Sequence, residues 1–323
     1  MNDSKRFVAT LSDLAVIEVT GADAVDFLHG QLTHDVQGLE PGQARLAGYC
    51  TAKGRLLGSM VIWRQTGTQD PAVLALVKAD IAEALVKRLS MFVLRAKARL
   101  RLTDYRVLGL ALDGDSPLSG TDPAGALSAP LASALPWTVV DDAAGTWIAA
   151  PSTDPGLRRW WFVARQPDPQ AGASRDDNGR WQAGDILAGL PWVQAATQDL
   201  FIPQTLNLDL IDGVSFTKGC YPGQEVVARS HYRGMVKRRM AGGLIAPADG
   251  LNAEALAATD TFDARRPDNP CGRIVNAALD QAGMRVLMEV QLADLDGADF
   301  RLGQADGPAI RLEPLPYGIE SGV

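Results

Sequence analysis

The sequence predicts an α+β protein of more than one domain. Three observations carry this. The chain is 323 residues long, more than one small core needs. Short β-type runs alternate with a few amphipathic helical stretches up to about residue 235. Beyond Val236 only short β-like runs separated by turns remain, the pattern of a small all-β module, read as a barrel. We therefore expect a region 1–235, containing two subdomains, and a C-terminal β-barrel domain 236–323.

Each element has its own warrant. Leu14 to Val19 is a β-type run, and Ala24, Phe27, Leu28 and Leu32 then recur at helical spacing. Pro41-Gly42 marks a turn. Strands are expected over Ala44–Cys50 and Leu56–Trp63, with Thr51 to Arg55 as the hairpin connection. Ala72–Val77 is another strand. Asp80 to Phe92 is a helix with Ile81, Leu85, Leu89 and Phe92 on one face. Ala98–Leu112 returns to β. Residues 113–136, rich in Gly, Ser, Pro and Ala, form a surface excursion. Trp137–Val140, Trp147–Ala150 and Trp160–Ala164 are short strands, Gln166–Gly179 is turn-prone, and Trp181–Leu190 is a helix stopped by Pro191. The tryptophans belong in cores or at domain seams. The C-terminal strands are Met240–Ile245, Arg273–Ala278, Arg285–Val290 and Ala309–Leu312.

Bulk numbers remove several function classes. The net charge of −7 gives the chain as a whole no electrostatic footprint for nucleic acid, so no direct nucleic-acid partner is expected, although a local basic patch stays open. No apolar run approaches the roughly 20 residues of a bilayer helix, and the first residues lack an apolar signal core, so a cytoplasmic protein without membrane contact is expected. The three cysteines, Cys50, Cys220 and Cys271, are odd in number and far apart, which speaks against a disulfide framework. The three histidines, His29, His34 and His231, lack the spacing of a zinc site, and no metal site is expected.

The stretch Phe216 to Arg233, FTKGCYPGQEVVARSHYR, concentrates the chemistry. Gly219 and Gly223 permit a tight bend or close approach of the backbone to a ligand. Pro222 suits the first turn of a helix running Gly223–His231. Gln224 and Glu225 place acceptors at its start, and Glu225 complements the helix dipole. Cys220 stands just before that helix and two residues from Lys218, both of which favour a thiolate. Two readings stay open for it: a reactive thiol, or a small hydrophobe packed under the turn. Arg229 and Arg233 share one face and suit an anionic ligand such as a glutamate tail, or simply solvent. Lys53 in its turn can meet a carboxylate tail or remain solvated. Asp35 can contact a ligand or cap the backbone.

The run Lys218-Gly219-Cys220-Tyr221-Pro222-Gly223-Gln224-Glu225, followed by Val227-Ala228-Arg229, resembles the KGCYxGQE signature of the YgfZ family, within the larger group related to the glycine-cleavage T-protein. Phe201-Ile202-Pro203-Gln204 with Asn207-Leu208 resembles the segment preceding that signature. Gly21-Ala22-Asp23-Ala24, the run Phe27 to Val36, and Ala52-Lys53-Gly54-Arg55 resemble the family's N-terminal pattern and following loop. The resemblance extends in order from residue 7 to about 278.

The resemblance implies a T-protein-like multi-domain ring around a central folate cavity. It implies tetrahydrofolate or a derivative as cofactor and iron–sulfur proteins as clients, including one that modifies tRNA. Any cluster then belongs to the client. It links the signature cysteine, Cys220, to that role. Beside it we place Lys218 in the chemical role and Asp35, Lys53, Gln204, Asn207, Tyr221, Gly223, Gln224, Glu225, Arg229 and Arg233 around the ligand. Two departures matter. Gly58 and Ser59 stand where T-proteins carry an acidic pair, and neither can act as a carboxylate base, which argues against aminomethyl transfer. Leu187 stands where relatives place a pterin-holding glutamate before an Ala-Gly-x-Pro turn, and it cannot accept hydrogen bonds. Asp185 lies nearby. The resulting expectation is a folate-binding accessory protein for iron–sulfur cluster assembly or repair. The alternative is a folate-dependent one-carbon transferase or demethylase, and a thiol redox protein is a third reading.

Overall fold

A computed structural model describes residues 7–65, 71–113, 134–165, 177–232, 236–248 and 250–319. The chain forms two compact units. One comprises Met1–Leu28, Val36–Arg45 and Met60–Trp181, the other His29–Asp35, Leu46–Ser59 and Gln182–Val323.

In the first unit, β1 (Phe7–Thr10), β7 (Arg106–Asp113), β10 (Leu157–Ala164), β9 (Gly145–Ala150) and β8 (Val139–Asp141) make an antiparallel sheet in the order β1-β7-β10-β9-β8. Successive strand residues face opposite sides, so the adjacent Trp160 and Trp161 both being buried means that both faces are covered. Trp160 joins Leu108, Leu110, Trp147 and Phe162 on one face. On the other, Trp161 meets Trp181 edge-on at 6.1 Å. Gly109 is required there, because a Cβ would strike the Trp181 ring at 2.5 Å.

A second sheet has the order β3-β4-β5-β2-β6, from Ala44–Cys50, Leu56–Arg64, Ala72–Lys78, Leu14–Thr20 and Arg99–Leu102. Strand β5 is an unbroken apolar run and is buried at every position. Helix α2 (Ala79–Ser90) puts Ile81, Ala82, Leu85 and Leu89 inside. Phe92, expected on that inner face, lies past the helix end and is 46% exposed.

In the second unit, β11 (Arg238–Ile245), β12 (Asp260–Asp263), β13 (Gly272–Asp280), β14 (Gly283–Gln291), β15 (Phe300–Leu302) and β16 (Ile310–Glu313) form a sheet of order β15-β12-β13-β14-β11-β16. A bridge from Arg301 in β15 to Ala309 beside β16 nearly closes it into the expected barrel, around Ile274, Met284, Val286, Met288 and Phe300. Helix α3 (Asn178–Leu187) starts ahead of Trp181. It ends where Gly189 takes φ +64° and Leu190 N–H returns to Asp185 O at 2.9 Å, a Schellman stop.

The remaining differences from the sequence reading have local causes. Helix α1 is only Ala24–His29, because past Gly30 the chain leaves to bridge Leu32 to Tyr49. The expected Ala98–Leu112 run is two strands, broken where Thr103 bonds back to Val16 O. Strands β1, β12 and β15 have three or four residues, too few to show a period. Residues 114–133 of the expected excursion and 166–176 of the turn-prone stretch lie outside the described residues. Among the described residues no helix is long and apolar enough to cross a membrane.

Candidate functional site

The loop 216–223 and helix α4 (Gln224–Tyr232) lie in the second unit. Three anchors shape the loop. At its start, Phe216 stacks on His231 of α4, with ring centroids 3.7 Å apart. In its middle, Lys218 Nζ donates to Leu32 O at 2.8 Å and to His29 O, and lies 4.8 Å from the Tyr221 ring centre. At its end, Gly223 takes φ +81° against Gly54 at φ +73°. A Cβ on Gly223 would fall 2.4 Å from Thr51 O and 2.6 Å from Gly54 Cα. Only paired glycines let the two backbones touch, which locks the 51–55 turn carrying Lys53 against the start of α4.

This geometry moves the helix. Because Gly223 is left-handed, α4 begins at Gln224, and Pro222 precedes the helix instead of opening it. Cys220 therefore lies four residues upstream of the first helical residue. Glu225 does fall in the first turn, while Arg229 falls in the last, where a cation complements the dipole.

The segment His29–Asp35 supplies the loop's support. Thr33, fully buried, donates through Oγ1 to Gly213 O at 2.6 Å and accepts from Gly48 N at 2.7 Å. That fixes the carbonyls of His29 and Leu32 that Lys218 grips. His29 Nδ1 sits 3.0 Å from Asp35 Oδ1. Its Nε2 faces the loop, 3.6 Å from where a Cβ on Gly219 would be. Burial pushes Lys218 down to about 8, against the opposing pull of the Asp35 carboxylate and of Cys220.

The three thiols differ sharply. Cys220 is exposed, whereas Cys50 and Cys271 are buried. Burial raises Cys50 to about 12 and also raises Cys271. Tyr221 is buried, and desolvation holds its phenol above its usual value.

The expected ligand set divides. Lys53, Glu225 and Arg229 are exposed, and Asp35 and Gln224 half-buried. Gln204 and Asn207 are fully buried and serve the backbone. Gln204 Nε2 donates to Val227 O at 2.7 Å, while Asn207 donates to Met240 O at 2.7 Å and accepts from Met240 N at 3.2 Å. Arg233 lies outside the described residues. Ser59 is buried and bridges Pro191 O at 3.0 Å and Val193 N at 2.9 Å. Asp185 accepts from Trp192 Nε1 at 2.9 Å. The sequence reading missed His29 as a neighbour of the Cys220 loop. Its backbone carbonyl is held by Lys218, 189 residues away, and only its presence in the Phe27–Val36 pattern marked it.

No family model matches the chain. It is 30% identical to "tRNA-modifying protein YgfZ" of Klebsiella pneumoniae (strain 342), over 96% of this chain and 93% of that protein. It is likewise 30% identical to the protein of that name from Escherichia coli O7:K1, with the same coverage. In fold it is similar to the crystal structure of glycine cleavage system aminomethyltransferase T from Bartonella henselae. That match has a TM-score of 0.71 at 16% identity and covers 97% of this chain and 86% of the other. The aminomethyltransferase shares the T-protein fold, the full-length similarity to YgfZ proteins adds the closer kinship, and the chain belongs to the YgfZ family.

Proposed function

We propose that this protein binds tetrahydrofolate or a derivative and acts as an accessory factor in iron–sulfur cluster assembly or repair, supporting iron–sulfur enzymes that include a tRNA-modifying one. The observation that carries the reading is the exposed Cys220 in a loop anchored on both sides, while Cys50 and Cys271 are buried. The curated relatives' name, tRNA-modifying protein, supports the link to tRNA modification. A cytoplasmic location accords with both.

In this reading the exposed Cys220 sulfur handles a sulfur- or iron-containing species. The Lys218 ammonium, present below pH about 8, holds a positive charge beside the Cys220 loop. The Tyr221 ring and the gripped carbonyls keep Lys218 from swinging out to solvent.

The residues fit a folate in part. Exposed Lys53 and Arg229, on two segments locked together by Gly54 and Gly223, suit the carboxylates of a glutamate tail. The α3 stop does not suit the pterin edge, because Leu187 offers no acceptor and Asp185 is engaged with Trp192. When bound, tetrahydrofolate supplies a one-carbon carrier. The Ser59 hydroxyl, spent on Pro191 and Val193, is not a base for a transfer.

The test is rescue of iron–sulfur enzyme activity in cells lacking the endogenous protein. Cys220→Ala should fold and fail to rescue, and full rescue would make the cysteine structural. Isothermal titration with tetrahydrofolate should give heat, whereas none would favour a thiol redox protein. Robust turnover with an aminomethyl or methyl donor would favour a transferase.

A further inference from the structure

The acidic balance of the whole chain hides one segment of opposite sign. From Lys87 to Leu102 the sequence reads KRLSMFVLRAKARLRL, with six Lys and Arg residues and no Asp or Glu. All six cations are exposed. Arg101 pairs with Glu18 at 2.5 Å, while Lys87, Arg88, Arg95, Lys97 and Arg99 make no ion pair among the described residues. Between the cations, Met91 is 61%, Phe92 46% and Leu94 86% exposed.

Two ordinary explanations cover part of this. Lys87 and Arg88 end α2, where cations complement the helix dipole. Arg99 and Arg101 lie on β6, an edge strand of its sheet, and charges on an edge discourage sheet-to-sheet aggregation. Neither explains Met91, Phe92 and Leu94 standing in water in the turn between, nor the unpaired Arg95 and Lys97.

The spacing favours one class of partner. Arg99 and Arg101 alternate along β6, so their side chains leave one side about 6.6 Å apart. With Arg95 and Lys97 exposed just ahead of the strand and Arg101 held by Glu18, the free cations Arg95, Lys97 and Arg99 suit successive phosphates of a single strand. A lipid surface has no such repeat and would call for an amphipathic helix with a broad apolar face, whereas here the cations continue along a strand. An aromatic ring beside a basic track is the arrangement that stacks unpaired bases.

We propose that residues 87–102 form a docking surface for single-stranded RNA, with Arg95, Lys97 and Arg99 on phosphates and Phe92 stacked on a base. The surface lies in the first unit and does not depend on the folate or cysteine reading.

The probe is a 5′-labelled, unstructured 20-nucleotide RNA followed by fluorescence anisotropy, with phosphatidylglycerol-rich vesicles assayed in parallel by sedimentation. The full chain should bind the RNA with a log–log salt slope of roughly −2 to −4, as expected for three to five phosphates on a single strand. The variant R95E/K97E/R99E should bind at least tenfold more weakly with its thermal unfolding unchanged, and R95Q/K97Q/R99Q serves if the reversal disturbs the edge strand. Phe92→Ala should weaken binding several-fold and leave the salt slope intact. No RNA binding by the natural chain, equal binding by the charge variants, or binding to vesicles in preference to RNA would overturn the proposal.

Discussion

Two polar clusters in the second unit treat burial in opposite ways. Around Arg239, everything is closed. Its guanidinium is 2% exposed and donates to the Asp209 carboxylate at 2.6 Å and to Gln204 O at 2.9 Å. Gln204 and Asn207 tie the same segment to α4 and β11. Around Lys218 the cluster is only half closed. The ammonium is gripped by two carbonyls, yet two residues further on Cys220 is in solvent. Gln204 and Asn207 of the closed cluster and Lys218 and Cys220 of the open one all fall in stretches that resemble the YgfZ pattern, so matching a signature does not distinguish a brace from a reactive group. Burial and partner type do.

The largest expected effect tests the closed cluster. Asp209→Ala leaves a buried guanidinium without its carboxylate, and loss of one partner of such a pair costs about 3–5 kcal/mol. Urea unfolding of the variant should show that loss. A cost under about 1 kcal/mol would mean that the Arg239 cluster is not the brace described here.

Next comes the joint between the 51–55 turn and the Cys220 loop. Gly223→Ala puts a methyl 2.4 Å from Thr51 O at a φ of +81°. Left-handed strain and forced repacking together should cost about 3 kcal/mol. Because the joint lies under the loop, the rate of Cys220 alkylation should change as well, whereas Asp209→Ala in conditions where it stays folded should leave that rate alone. Equal alkylation rates in both variants would erase the distinction between the clusters.

Lys218 gives a smaller and pH-dependent signal. Its value falls from 10.5 to about 8 chiefly through burial. Between those values the folded chain has released a proton that the unfolded chain still holds, so stability should rise with pH across that window and show no contribution to the slope below it. Discounted for its partial exposure, the rise should be about 1 kcal/mol. Lys218→Met should abolish the rise. A rise that survives the substitution would belong to another group.

Legibility in the sequence followed the range of the interactions. The strands Ala44–Cys50, Leu56–Arg64 and Ala72–Lys78 were readable because apolar runs bounded by turns are local signals. The cysteine loop was readable as a motif, and its glycines announced a close approach. What the sequence did not name was the approach itself. Gly223 meets Gly54 across 169 residues, and Lys218 meets His29 across 189. The same limit misplaced the helix start, since the left-handed turn at Gly223 is imposed by that distant contact. Gln204 and Asn207 entered the ligand set with the segment that resembles the family pattern, and their hydrogen bonds to Val227 and Met240 emerge only in three dimensions.

The smallest stability effect belongs to the residue with the largest proposed chemical role. Cys220 is exposed, so Cys220→Ala removes little packing and should change unfolding stability by no more than about 0.5 kcal/mol. Cys50 is 1% exposed, and truncating it should cost more, about 1 kcal/mol, through lost burial. Brief iodoacetamide treatment of the folded protein, read by peptide mass spectrometry, should mark Cys220 and spare Cys50 and Cys271 until urea opens the chain. Burial blocks the reagent from Cys50 and holds its thiol at about 12, which keeps the thiolate scarce at neutral pH. Equal labelling of all three in the native state would mean that the contrast between an open and a closed cluster does not survive in solution. Labelling of Cys220 alone, with stability intact, ties reactivity to the loop geometry and leaves the fold to the brace around Arg239.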